Sequence, residues 1–189
     1  MKTRLLCTAA AFALLTLAIT SCKKTVTEST PVKEDIVTGR VIEGGGCLPT
    51  TVTLMAGQTI NAGTVDVTND SSFIYVTYTT TDSWLLTQTH LYVGDCALIP
   101  VNNPGNPIPG QFPYNSTHNN VSTYTYQVPI SRIGLGNCGC VAAHCVVVKL
   151  DASGHVIAQQ TGWGNGTVIN PGGNWGMKFD YCTCTAAAQ

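Results

Sequence analysis

The sequence predicts an all-β domain built as an antiparallel β-sandwich and stapled by disulfides. Three observations carry that expectation. Apolar and polar residues alternate with period two through segments rich in Val, Ile, Thr and Tyr; turn residues punctuate those segments at short intervals; and cysteines are numerous in a chain that reads as exported. Beyond the first twenty residues no segment offers a 3.6-residue apolar stripe, so βαβ units are not expected. An Ig-like or jelly-roll arrangement fits many short strands at this spacing.

The chain opens with Lys2 and Arg4, then an apolar run of fifteen residues from Leu5 to Ile19, then Thr20, Ser21 and Cys22. A membrane-spanning helix needs about 20 apolar residues to cross about 30 Å of hydrocarbon. The shorter run with small residues at its end reads as a secretory signal over residues 1–21. Ile19-Thr20-Ser21-Cys22 resembles the lipobox of bacterial lipoprotein signal peptides, with Ile in the usual Leu position and Ser before the cysteine. The resemblance implies cleavage after Ser21, a diacylglyceryl group on the Cys22 thiol and acylation, with palmitate for example, of the new amine. Each buried methylene contributes about 0.8 kcal/mol, so two or three chains hold where one would slip. Lys23 stands where some diderm bacteria place an Asp as the inner-membrane retention signal, so the expected destination is the outer membrane, on its periplasmic or surface face.

Residues 22–36 are expected to be the lipidated cysteine and a flexible tether, "KKTVTESTPVKEDI" after Cys22, with an end-to-end reach of about 20 Å. The folded domain is expected over 37–189. "TVDVTND" sets Val65 and Val67 against Thr64, Asp66 and Thr68. "SFIYVTYTTT" sets Ile74, Val76 and Tyr78 against Phe73, Tyr75 and Thr77. "STYTYQVP" sets Tyr124, Tyr126 and Val128 against Thr123, Thr125 and Gln127. "CVAAHCVVVKL" is nearly continuously apolar and predicts a central strand covered on both faces. "NDSS", "DASGH", "GNG" and "NPGGN" supply the turns. Residues 96–120 break the rhythm: they hold five of the nine prolines and many Asn, and read as a long loop, either functional or pinned to the surface by Phe112 and Tyr114.

Composition excludes one class of function. Charged residues make up 10% of the chain against the roughly 25% usual for soluble domains. No Lys or Arg occurs between Arg40 and Arg132, so no basic groove for nucleic acid is available. Without the signal segment, seven basic and ten acidic residues leave a net charge of −3 (9 − 2 = 7; 7 − 10 = −3).

"THLYVGD" (89–95), "PGQFPY" (109–114), "YTYQVPI" (124–130), "VAAHCVV" (141–147) and "GNWGMKFDY" (173–181) occur in this order. As a set they resemble a module of secreted and lipid-anchored bacterial surface proteins, over roughly residues 54–184. The resemblance implies a β-rich extracellular domain and carries no activity with it. Cys138, Cys140 and Cys145 add sulfur that the pattern does not require, and "TGWGNGT" replaces a more acidic stretch.

With Cys7 in the signal and Cys22 lipidated, seven cysteines remain: 47, 96, 138, 140, 145, 182 and 184. In an oxidising compartment these form at most three disulfides and leave one thiol. Side chains repeat every two residues along a strand, so Cys138 and Cys140 share a face, as do Cys182 and Cys184. Pairing between those two couples is expected, together with Cys47 to Cys96, leaving Cys145 buried and free. A four-thiolate metal site fits poorly, because zinc sites space cysteines by two to four residues rather than one.

Chemistry has few candidates. There is no GxSxG elbow, no HExxH and no P-loop, and no cofactor is called for. His90, His118 and His144 are the alternative metal ligands, for a hydrolase acting on surface polymers. The aspartates 66, 70, 82, 95 and 180 are the alternative carboxylates. The favoured expectation is a binding, adhesion or structural module without catalysis, whose partners are the membrane through its lipid and a glycan or protein ligand. Trp163, set between Gly162 and Gly164 in a polar loop, is the foremost binding candidate, with Phe112 and Tyr114.

Overall fold

The computed structural model describes residues 49–185; the expected signal peptide, the expected lipidation site Cys22, the expected tether and Cys47 lie outside them. The described residues are antiparallel β throughout, with three short 3₁₀ turns and no α-helix. In chain order the strands are β1 Thr50–Ala56, β2 Ile60–Asn69, β3 Phe73–Thr80, β4 Leu85–Gly94, β5 Tyr114–Val121, β6 Thr123–Pro129, β7 Cys138–Leu150, β8 Val156–Gly164, β9 Thr167–Val168 and β10 Met177–Cys182.

One continuous sheet runs β5-β4-β7-β8-β1-β2-β3-β6, with β10 on β7 and β9 on β10. It curls until its two edges approach. Tyr126 on β6 bonds Thr89 on β4 (2.8 Å), and the Tyr124 and Tyr126 rings meet His118 and Tyr114 on β5. The layers of the sandwich are thus two sides of a nearly closed barrel.

Alternation chooses the inner face. β2 buries Val65 and Val67, β3 buries Ile74, Val76 and Tyr78, and β6 buries Tyr126 and Val128. These meet Leu54, Leu86, Leu91, Val141, Ala143 and Val147 in one core. Each such side chain contributes about 1.5–3 kcal/mol on leaving water. The outer face of β1, β2, β3 and β6 is polar: Thr53, Thr64, Thr79 and Thr123 stand in register across the four strands.

β7 is the hub. It pairs with β4 on one side; on the other it pairs with β10 over Cys138–Val141 and with β8 over His144–Leu150. Its unbroken apolar sequence follows from burial on both faces: Val141, Ala143, Cys145 and Val147 enter the core, and Cys140 and Ala142 enter a second apolar cluster on the other face. The expected loop over 96–120 is corrected at its end, where Tyr114–Val121 forms an edge strand. Its Asn-rich sequence has little β preference, but β4 supplies the ladder partners.

Candidate functional site

Two regions on the outside of β4, β7 and β8 gather the chemistry-bearing side chains. The first is a row of rings. His90 lies opposite His144 in the β4–β7 ladder, and His144 lies opposite Trp163 in the β7–β8 ladder. The imidazoles approach with Nδ1 to Nδ1 at 3.2 Å. The His144 ring meets Trp163 edge to face at 4.8 Å, Trp163 meets Phe112 at 6.2 Å, and Phe112 meets Tyr92 at 6.1 Å. This second apolar cluster includes Ile99, Cys140 and Ala142, with Trp175 and Met177 packed against it.

Two connecting segments cover it, residues 95–113 and, with the short strand β9, residues 165–176, and asparagines bind them to each other. Asn170 Nδ2 donates to Pro104 O (2.8 Å) and Asn106 Oδ1 (3.0 Å), and Asn174 N donates to Asn106 Oδ1 (2.8 Å). The proline- and asparagine-rich stretch is therefore a lid packed on the sheet.

Burial decides the expected binding residues. Trp163 is 4% exposed and Phe112 2% exposed, so neither is an open platform; Tyr114 is half-buried against the core. Trp163 is the penultimate residue of β8 rather than a loop residue. Gly162 lies beside it because a Cβ there would sit 2.9 Å from Cys145 Sγ and 3.0 Å from Met55 O. Glycine inside a strand marks close approach, and that was the available sequence signal.

The three histidines do not converge. His118 Nε2 bonds Thr89 Oγ1 (2.8 Å) and its ring stacks near Tyr124, on the side of β4 opposite His90, because successive strand residues alternate. Burial lowers the His90 and His118 pKa values; burial, then the neighbouring His90, takes His144 to about 3. Such a group holds protons too weakly to serve as a base at neutral pH. Three of the five aspartates are occupied separately. Asp66 accepts from Thr51 and Thr64, Asp70 from Ser72, Phe73 and Tyr75, and Asp95 from Ala97.

The second region is the disulfide-bonded end. Cys138 is opposite Cys182 in the β7–β10 ladder and bonded to it. That register sets Cys140 opposite Asp180, two residues away from any cysteine of β10, so the double bridge between the couples does not form. Cys140 reaches instead to Cys96, just past the end of β4, which also corrects the expected Cys47–Cys96 pair. Cys184 is disulfide-bonded as well, and Cys145 is the buried free thiol. Among the described residues the one set of three metal-type donors within 4.8 Å is Cys96, Cys140 and Asp180, and its two sulfurs are joined to each other.

Between the bonded turns lies a cleft of about 430 Å³, lined by Asp95, Cys96, Arg132, Asn137, Cys138 and Gly139 among others. Arg132 Nε donates to Val93 O at 3.4 Å. Its terminal nitrogens carry the other four of its five N–H donors. Tyr92 Oη donates to Asp95 O (2.6 Å), and Thr183 Oγ1 donates to Gly134 O (2.6 Å), so both walls are fixed by bonds to the sheet and to the C-terminal segment. No protein-family model matches this chain, and no curated protein or solved structure matches it at a significant level.

Proposed function

We propose that this chain is a lipid-anchored module of the bacterial outer membrane that binds a ligand without catalysis, through the cleft between Asp95 and Arg132. The single observation supporting this reading is a polar cleft whose walls are held by two disulfides, a preorganised surface that loses little entropy on binding. Arg132 is its one cationic lining group, and a guanidinium favours a planar carboxylate through paired hydrogen bonds. The ligand class is therefore a carboxylate-bearing segment of a surface glycan or peptide. The lipobox-like Ile19-Thr20-Ser21-Cys22 supports the anchor, and the Thr-rich tether would lift the domain off the membrane.

Two measurements test the reading. The mature chain with Cys22→Ser is titrated with uronic-acid oligosaccharides and acidic peptides while amide NMR shifts are followed. Shifts confined to residues 94–96 and 132–139, and lost in Arg132→Ala, are expected; absence of any carboxylate-dependent shift sinks the cleft. Labelled palmitate fed to an expressing diderm bacterium is expected in the full chain and not in its Cys22→Ser variant. Equal labelling of both would sink the anchor.

A further inference from the structure

The geometry points to His90 and His144 as a two-imidazole site for a divalent transition metal, zinc or copper, on the outer face of the β4–β7 ladder. This does not depend on the ligand cleft, which lies at the disulfide-bonded end of the same strands.

The separation of the two nitrogens is the first argument. Imidazole nitrogens lie about 2.0–2.1 Å from zinc. Two of them on one ion are therefore about 2.9 Å apart at a right angle and about 3.4 Å apart at the tetrahedral angle. The Nδ1 atoms of His90 and His144 stand 3.2 Å apart, between those limits.

The second argument is preorganisation. Residues 90 and 144 are register partners in a ladder bounded by a further strand on each side, β5 beyond β4 and β8 beyond β7. The Trp163 ring holds the His144 imidazole from the β8 side at 4.8 Å. His144 is nearly buried while His90 is half-buried, so solvent reaches the pair from one side and supplies the remaining ligands. Asn115, exposed and in register with His90, brings an amide oxygen to the same face.

Protonation is the third. A metal takes neutral imidazole through a ring nitrogen that carries no proton. In the hydrogen-bonded pair one Nδ1 carries a proton. In the metal-bound pair that proton resides on Nε2 of the same ring, so both Nδ1 lone pairs face the ion and no proton is lost from the protein. Imidazole ligation suits zinc, copper and nickel rather than magnesium or calcium.

The mature chain with Cys22→Ser is titrated with Zn²⁺ and Cu²⁺ by calorimetry, and the Cu²⁺ form is read by electron paramagnetic resonance. One equivalent per chain with coupling to two imidazole nitrogens is expected. His90→Gln, at the half-buried position, should weaken binding at least tenfold with an unchanged circular-dichroism melt. His118→Gln and His155→Gln should bind like the parent. Three results would overturn the site: no binding by the parent, parent-like binding by His90→Gln, or loss of binding in His155→Gln, whose ring is exposed beside Asp151. His144→Gln, which removes a packed ring, is judged only alongside its melt.

Discussion

Trp163 stands directly opposite His144 in the β7–β8 ladder, with ring centroids 4.8 Å apart and planes at 63°. The indole and Tyr92 of β4 are two rings on which the lid rests, because Phe112 from the lid packs on them at 6.2 and 6.1 Å. Trp163→Ala therefore removes a buried ring and part of the floor beneath Phe112. Large-to-small changes of this kind cost about 3–5 kcal/mol. At about 2–4 °C per kcal/mol for a chain of this size, the melting temperature should fall by roughly 10 °C. Thermal and urea unfolding check this, and a loss under about 1 kcal/mol would mean that the indole is not packed as described.

Acidification should begin to destabilise the fold as pH falls through the ordinary histidine range. The folded state holds His144 near pKa 3 by burial and by the adjacent His90, whereas the unfolded imidazole sits near 6.5. A depressed folded pKa means that the unfolded chain binds the proton first. The contribution is thus full above pH 6.5 and is lost as pH falls from there toward 3. Each unit is worth about 1.4 kcal/mol, so the whole effect is on the order of a few kcal/mol. His90 and His118 are lowered too and act with the same sign. Asp70 and Asp151 are lowered carboxylates whose losses begin only below about pH 4. Urea midpoints at pH 7.5 and pH 4.5 therefore isolate the histidines; the midpoint should drop between them, and His144→Gln should flatten the slope.

Much of this architecture is legible in residue order. Val65 with Val67, Ile74 with Val76, and Tyr126 with Val128 declare their inner faces by alternation, and β7 declares its central place by lacking it. What escaped depends on pairing across sequence. Strand β5 is ordered by β4 and not by its own Asn, Ser and Thr residues. The Cys96–Cys140 bond follows from a two-residue offset in the β7–β10 register that no spacing rule contains. Trp163 looked exposed because glycines flank it, yet those glycines let β8 close on Cys145, Met55 and Phe179. His90 and His144 are 54 residues apart in sequence and meet only through the register.

Disulfide mapping under non-reducing conditions should recover Cys96–Cys140 and Cys138–Cys182 as linked peptides. Cys184 is also bonded and should appear in a further linked peptide. Cys145 should resist alkylation until the protein unfolds, since burial removes access and raises its pKa to about 12. Rapid labelling of Cys145 in the native protein, or a Cys96 peptide linked elsewhere, would contradict the structure.

The sheet's closest internal approach gives the sharpest test of register. Gly63, in β2, has φ +142° and pairs with Thr80 of β3. A Cβ at that position would collide with the Thr79 carbonyl oxygen and press on Thr80 Cα, both backbone atoms of a strand flanked on both sides. No rotamer change relieves such a contact, and the backbone angle itself is one that L residues rarely adopt. Gly63→Ala should therefore cost more than the ordinary price of a surface change, on the order of 3 kcal/mol or above, with Asn61→Ala as the milder neighbour. Asn61 Oδ1 accepts from the Gly63 N–H at 3.0 Å, a bond worth about 1 kcal/mol. Denaturant unfolding of the two variants side by side is the check. Equal stability would mean that β2 and β3 pair in a different register, and with them the threonine rows on the outer face.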